Sequence, residues 1–359
     1  MSDNTLGPPY RAQRAIDFQL ERGDEIVAFP CSMAENIANR PISIPFSGNA
    51  LACILAFWAG ASGFATAASS VGNFSAAAND RFANNPAFVG SGFDFSGVGR
   101  DANGKWGVML SPTVFISANH AAPGGSLVFY PGNNPAATPV TISISSGQAL
   151  GGSDLYIGRL SSPIPSSITS YSYFNIPLTE AGFYSSAVAN LPAFIGGISV
   201  SGNAYGGPVT NQVIGTNRIE AFLEDVTANG AGGVSDVLVT VANQPGDTVF
   251  GYNPTYYEAQ LNGGDSGSPL LVLSGSQLVV AGTALGVGTG DIDPGAGVAT
   301  REFSAYTYTG SYAWLIQNYI AISAVPEPAV SILPAIFAFA MIHRERRRKS
   351  PWAGGVDCA

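Results

Sequence analysis

In the body of the chain, hydrophobic positions form short runs of β-prone residues that Gly, Pro and Asn separate. Runs of this kind, bounded by turn residues, predict β-strands. The first group of predicted strands comprises Trp106–Leu110, Val114–Ala118, Leu127–Tyr130, Val140–Ile144 and Leu155–Leu160. After a loop-rich stretch, the second group comprises Ala193–Val200, Asn211–Val226, Val237–Val241, Thr248–Tyr252, Pro269–Leu273 and Leu278–Leu285. The pattern therefore predicts an all-β fold with two packed antiparallel barrels of about six strands each.

One helix is predicted after the second group of strands, over Ser311–Ile320. Ser311 can cap this helix, and we expect Trp314, Leu315 and Ile320 to line one of its faces. The helix closes a body that we place at residues 68–325.

The composition supports a folded β-rich chain. Of 359 residues, 46% are hydrophobic and only 11% are charged, which is unlike an intrinsically disordered protein. The 44 glycines and 24 prolines interrupt any long helix. Heptads, helical repeats and collagen periodicity are absent from the sequence, so a sandwich or barrel architecture is what the composition favours.

The charge is acidic and unevenly distributed. The net charge is −9, and residues 68–325 contain six basic against 15 acidic side chains. Such a body is repelled by phosphate backbones, so nucleic acid is not an expected partner. The only dense basic run is Arg344–Lys349, close to the C-terminus.

Cysteine and histidine are scarce. The three cysteines are Cys31, Cys53 and Cys358, and the two histidines are His120 and His343. The long interval between the second and third cysteine can form neither a disulfide nor a thiolate metal site. No metal or other cofactor is therefore predicted for the body, and any histidine chemistry there must use His120.

An apolar stretch at residues 50–62 has the length of a signal-peptide core, and Ala65-Thr66-Ala67 after it is typical of a cleavage site. The 49 residues ahead of the stretch are too many for an ordinary leader. Translation from Met33 would leave a conventional leader with Arg40 as its positive charge. We therefore interpret residues 1–49 as leader or mis-assigned start and 50–67 as the signal. The alternative is a buried helix of an N-terminal domain.

The C-terminal region has a second targeting pattern. Val325-Pro326-Glu327-Pro328 precedes an apolar segment, Ala329–Ile342, and then the basic run. This order resembles the PEP-CTERM sorting signal of Gram-negative bacteria. The resemblance, over residues 326–349 with a tail at 350–359, implies recognition by an exosortase-type machinery and delivery to the cell surface, outer membrane or extracellular matrix. The apolar segment would enter the membrane and the basic run would stay cytoplasmic. The alternative is a short C-terminal anchor.

Three segments contain the candidate chemistry. A predicted strand runs directly into His120, Asp154 stands ahead of another apolar strand, and Ser266 lies in the glycine-rich run Gly263–Leu270. A serine hydroxyl becomes an effective nucleophile when a base that a carboxylate orients takes its proton. Glycines around Ser266 allow a tight turn in which the N–H groups of Gly264 and Ser266 form an oxyanion hole.

These segments resemble the trypsin/chymotrypsin-like serine proteases over residues 85–320. Gly-Asp-Ser-Gly-Ser-Pro-Leu is similar to that family's Gly-Asp-Ser-Gly-Gly-Pro-Leu, and Ile116-Ser-Ala-Asn-His120 to its Leu-Thr-Ala-Ala-His. Ser153-Asp154-Leu-Tyr-Ile is similar to its Asp-Ile-Ala-Leu-Leu strand, and the order His–Asp–Ser is that of the family. The resemblance implies a chymotrypsin-like fold and a triad of His120 as general base, Asp154 as its orienter and Ser266 as nucleophile.

The sequence departs from that family in three places. Ala121 stands where the family usually has a cysteine after the histidine. The Ile-Val-Gly-Gly terminus, whose amine pairs with the aspartate before the nucleophile in many relatives, is absent from the sequence, which leaves the partner of Asp265 unidentified. Gln260 occupies the place of the pocket aspartate of trypsins, which argues against a strong preference for Lys or Arg, although Glu258 is two residues away.

The sequence therefore predicts an exported serine endopeptidase that acts on polypeptides, or an esterase with the same acyl-enzyme chemistry. One alternative is a catalytically silent protease-like protein that binds at the surface or in the matrix. A purely structural adhesin would explain the small-residue composition, but it would leave three ordered triad segments unexplained.

Overall fold

The computed structural model describes residues 18–19, 70–197, 209–228, 233–241, 255–290 and 301–324. The predicted signal at residues 50–67, the sorting signal at 326–349 and the predicted strand Thr248–Tyr252 lie outside the described residues. Export and surface sorting therefore stay predictions. Within the described ranges, none of the helices has the length and apolar character that a membrane crossing requires.

A closed antiparallel barrel forms the first half of the fold. Two short strands and a one-turn helix precede it: β1 (Phe18–Gln19), β2 (Ser70–Val71) and α1 (Ala76–Asn79). The six barrel strands are β3 (Val98–Arg100), β4 (Trp106–Met109), β5 (Val114–Ala118), β6 (Ser126–Phe129), β7 (Val140–Ala149) and β8 (Leu155–Leu160). They close in the order β3-β4-β5-β8-β7-β6. Strand β5 is buried at all five positions, because Val114 and Ile116 pack into one hydrophobic cluster and Phe115 packs into another.

The second half is a large sheet. Its elements in chain order are β9 (Ser172–Tyr173), α2 (Glu180–Phe183), β10 (Pro192–Gly197), β11 (Val213–Arg218), β12 (Ala221–Thr227), β13 (Val234–Val241), β14 (Ala259–Gln260), β15 (Pro269–Ser274), β16 (Gln277–Gly290) and β17 (Arg301–Tyr308). The main path runs β11-β10-β15-β16-β17-β13-β12, and β1 and β9 also pair with β16. Strand β14 pairs with β2 outside this sheet.

The all-β architecture, the six-stranded antiparallel barrel and the short C-terminal helix are confirmed, and together they are compatible with a chymotrypsin-like fold. The second unit differs in detail from the prediction, since it is a nine-stranded sheet. The single predicted run Asn211–Val226 is two strands, β11 and β12, with Ile219 and Glu220 between them. The apolar character of Ile219 hides this break from a pattern analysis.

The C-terminal helix α3 spans Ala313–Ala324, and a 3-10 turn, Thr309–Tyr312, leads into it. Ser311 therefore lies in the turn and does not cap the helix. Trp314 was predicted on the packed face but is 70% exposed, whereas Ile316 is fully buried. At 100° per residue, the face that contains Ile316 turns Trp314 towards solvent.

One hydrophobic cluster joins the two halves of the fold. It includes Trp106 and Ile116 from the barrel, Leu271 and Val280 from the sheet, and Ile316 from α3. Because this core is shared, side chains at the barrel–sheet boundary are held by packing from both sides. The candidate site lies at that boundary.

Candidate active site

His120 lies two residues beyond the buried strand β5, so its backbone is fixed by the barrel wall. Its Nδ1 is 2.7 Å from Oδ2 of Asp154, and its backbone N–H donates to Oδ1 of the same carboxylate at 3.0 Å. Both oxygens of Asp154 are therefore engaged by one residue. This double contact sets the orientation of the imidazole ring.

Asp154 reaches His120 because β5 and β8 are adjacent antiparallel strands. Ala118 pairs with Leu155, so the residues that leave β5 come beside the residue that enters β8. Asp154 is fully buried, and its backbone N–H donates to the hydroxyl of Ser235 at 3.0 Å. Since Ser235 belongs to β13 of the second sheet, both halves of the fold position this carboxylate.

Ser266 lies in the turn between β14 and β15, which we call the nucleophile turn (residues 263–268). Its Oγ is 2.8 Å from Nε2 of His120. Gly264 and Gly267 on either side have φ of +92° and +83°, a backbone region that other residues disfavour. The N–H of Gly267 donates to the carbonyl of Ala284 on β16 at 2.9 Å. The turn is thus anchored to the sheet while its serine faces the barrel.

Gly267 also permits close packing between the nucleophile turn and β5. A Cβ at this position would come 2.4 Å from the Ser117 hydroxyl oxygen and 3.0 Å from the backbone N of Ala118. These are the strand residues that lead to His120. The absence of a side chain at residue 267 therefore helps to set the distance between the serine and the histidine.

Replacing Gly267 by alanine should destabilise the protein more than the same change at Gly275. Gly275 also has a left-handed φ, of +65°, but nothing lies within 4 Å of a Cβ there. Both substitutions incur about 1–2 kcal/mol for the left-handed backbone, and only G267A adds overlap with β5. Urea unfolding of the two variants measures the difference. Equal losses would show that residue 267 does not pack tightly against β5.

The three side chains form one hydrogen-bonded line that runs from the interior to the surface. Asp154 is 0% exposed, the His120 side chain is 11% exposed, and Ser266 is half-buried. With the carboxylate on Nδ1, the ring proton is held on that nitrogen, and the lone pair of Nε2 is left to accept from the Ser266 hydroxyl. Such a line can withdraw a proton from the serine while a neighbouring molecule approaches its oxygen.

The predicted oxyanion-hole residues lie within the nucleophile turn. The carbonyl of Gly264 accepts a long hydrogen bond, 3.4 Å, from the indole Nε1 of Trp106 in β4. Asp265 is 1% exposed, and its Oδ2 accepts from the backbone N–H of Asn262 at 2.8 Å. The turn is therefore held from inside its own loop and from the barrel.

The predicted pocket residue Gln260 lies on β14. Its side-chain amide donates to Glu302 on β17 at 3.4 Å, and this contact is exposed. Glu258 is nearly buried, and one of its carboxylate oxygens accepts from the backbone N–H of Thr255. Of the two residues considered for the pocket, only Gln260 thus has its side chain at an exposed contact.

Two contributors to the site lie outside the predicted site residues: Ser235, which bonds to Asp154, and Trp106, which bonds to Gly264. Trp106 begins a predicted strand, but nothing in its local sequence indicates a contact with a turn more than 150 residues away. Ser235 has no local signal at all.

No protein-family model matches the chain, and the search of curated proteins also finds no match. The geometry around Ser266 therefore provides the basis for a functional proposal.

Proposed function

We propose that this protein is a serine endopeptidase of the trypsin/chymotrypsin-like type, with Ser266 as nucleophile, His120 as general base and Asp154 as the residue that orients the base. The observation that supports it most strongly is the continuous line of contacts, 2.7 Å from Asp154 to His120 and 2.8 Å from His120 to Ser266. Nucleophile, base and orienting carboxylate at these distances form the arrangement that acyl transfer requires.

In the first half of the reaction, Ser266 Oγ attacks the carbonyl carbon of the scissile bond as Nε2 of His120 takes the hydroxyl proton. The imidazolium that forms is stabilised by the buried carboxylate of Asp154. The carbonyl oxygen becomes an oxyanion, which the N–H groups of Gly264 and Ser266 would stabilise. His120 then gives its proton to the leaving amine, and an acyl-serine remains.

In the second half, water replaces the amine. Nε2 of His120 accepts a proton from the water as the water oxygen attacks the acyl carbon. The second tetrahedral intermediate then collapses, and His120 returns the proton to Ser266 Oγ as the carboxylic acid leaves. The same steps hydrolyse an ester, so peptide substrates distinguish the proposed endopeptidase from an esterase.

A fluorophosphonate probe tests the proposal directly, because it phosphonylates only a serine that a working base activates. We expect the full chain to be labelled, with the adduct located on Ser266 by peptide mass mapping. The H120A variant should lose the label. A folded chain that resists the probe would contradict catalysis and favour a protease-like binding protein. A labelled chain that cleaves esters but no peptide of a diverse library would favour the esterase.

A further inference from the structure

Asp265, the residue before the proposed nucleophile, has a buried carboxylate whose negative charge must be offset. Asp265 is 1% exposed. In the sequence it directly follows Gly264, one of the two proposed oxyanion-hole residues. A buried carboxylate is tolerated only where hydrogen bonds and a positive charge offset its lost hydration. The contact from the Asn262 N–H provides one hydrogen bond. A nearby cation would add to this stabilisation, and it would act on the turn that presents Ser266.

Arg100 is a fully buried cation in the barrel wall, beside the residue that contacts this turn. It lies on β3 and is the direct antiparallel partner of Trp106 on β4. Its guanidinium carbon is 5.0 Å from the centroid of the Trp106 ring. Its Nε donates to the carbonyl of Gly104 at 2.9 Å, and its Nη1 donates to the carbonyl of Asn211 at 3.0 Å. The side chain is therefore fixed by an aromatic face and two backbone carbonyls.

The same pair of strands reaches the nucleophile turn through Trp106. Its indole N–H donates to the carbonyl of Gly264, the residue before Asp265, and the Arg100 guanidinium stacks on the same ring. Burial lowers the pKa of Arg100 to about 10, and the negative charges of Asp265 and Asp101 oppose that shift. The guanidinium therefore stays cationic at neutral pH.

We propose that Arg100 is a positioning residue for the nucleophile turn. Held against Trp106, its permanent charge offsets Asp265 and keeps the Gly264 and Ser266 N–H groups directed at the position of the oxyanion. The inference rests on the proposed function and adds to it the residue that orients the nucleophile turn. Because the cation belongs to an interior strand, the turn reaches its active geometry on folding and requires no free amino-terminal amine.

Arg81 offers a matched control. It is as buried as Arg100, and its guanidinium also stacks on a ring, 4.7 Å from the centroid of Phe82. One of its nitrogens donates to Gln212 at 2.6 Å, and the carboxylate whose charge acts on it is that of Asp94. Removing either arginine deletes a buried cation with a cation–π contact. Only Arg100 is coupled to the nucleophile turn.

The experiment compares R100M and R81M in the full chain. Both variants should lower the melting temperature. We expect R100M alone to lower kcat about 100-fold with little change in KM, the size of effect seen when an oxyanion-hole donor is lost. A peptidyl boronic acid, which forms an anionic tetrahedral adduct with the serine, should bind R100M more weakly by a similar factor. Equal kcat values for R100M and R81M would overturn the proposal.

Two further measurements keep the proposal testable if R100M folds poorly. The double variant R100M/D265N removes both charges, so it should fold better than R100M and be no slower, whereas losses that multiply would contradict a charge pair. Extra residues inserted directly after Ala67, the predicted cleavage site, should leave kcat unchanged, and a loss of activity would overturn the proposal. A wild-type chain that the fluorophosphonate does not label contradicts the proposed function itself. A labelled wild type with an active R100M contradicts only the role of Arg100.

Discussion

Replacing Ser266 by alanine is expected to lower kcat for peptide hydrolysis about 10⁶-fold, the scale of loss when the nucleophile of a serine-protease triad is removed. The Oγ of Ser266 contacts His120 Nε2 at 2.8 Å, and it is the atom that would form the acyl-enzyme. Without it, only the oxyanion hole and substrate binding remain to assist direct attack by water. Steady-state hydrolysis of a peptide substrate by purified S266A measures the loss.

Ser268 provides the control for this substitution. It lies in the same turn and is fully buried, and its hydroxyl has no hydrogen-bond partner among the described residues. S268A therefore removes a hydroxyl from the same segment without breaking a hydrogen bond, and we expect it to keep wild-type kcat. The S266A protein should unfold at a similar urea concentration to the wild type, because the substitution removes only one half-buried hydroxyl. If S266A and S268A hydrolyse peptide equally well, Ser266 is not the nucleophile.

The members of the candidate triad could be predicted because each belongs to a short contiguous segment. The apolar run that becomes β5 leads into His120, and the glycines beside Ser266 adopt the left-handed φ values of a tight turn. Pairing of β5 with β8 is a barrel contact between nearby strands, and it brings Asp154 to His120. In each case local pattern and tertiary contact agree.

The size of the second sheet could not be predicted in the same way. Strand β16 continues through Gly282, Gly286 and Gly288, where the sequence favours turns, and its pairing with β17 contains a register shift near Ala284. Glycine is tolerated there because aromatic side chains approach the strand closely. A Cβ at Gly288 would come 2.6 Å from the ring of Phe303. Such a requirement comes from tertiary packing and leaves no local signature.

The residues that orient the site also leave no local signal in the sequence, for a similar reason. Arg100 looks like one polar residue among strands, and only the pairing of β3 with β4 places it against Trp106, the ring that contacts Gly264. Ser235 supports Asp154 from β13 of the other half of the fold. Contacts between residues so far apart in the chain depend on the assembled topology. The sequence therefore indicates the reacting groups better than the residues that orient them.

Replacing Asp154 by asparagine should lower kcat about 10⁴-fold while the protein remains folded, as expected when the triad carboxylate becomes an amide. The side-chain oxygen of the introduced amide can still accept from the backbone N–H of His120, so that contact of the wild type is kept. Its NH₂ group would, however, face Nδ1 at the 2.7 Å contact and act as a donor. The ring would then hold its proton on Nε2, the nitrogen that must accept from Ser266.

Asp236 supplies the control for that change. It lies on β13 next to Ser235, and its Oδ1 accepts from the backbone N–H of Asp225 at 3.1 Å, away from the imidazole. D236N removes one negative charge from the same region but touches none of the reacting groups, so it should hydrolyse peptide at a rate close to that of the wild type. The rate of fluorophosphonate labelling should follow the same order, slow in D154N and normal in D236N. Wild-type labelling of D154N would mean that the tautomer of His120 does not depend on Asp154, and the orienting role would then have to be assigned to another group.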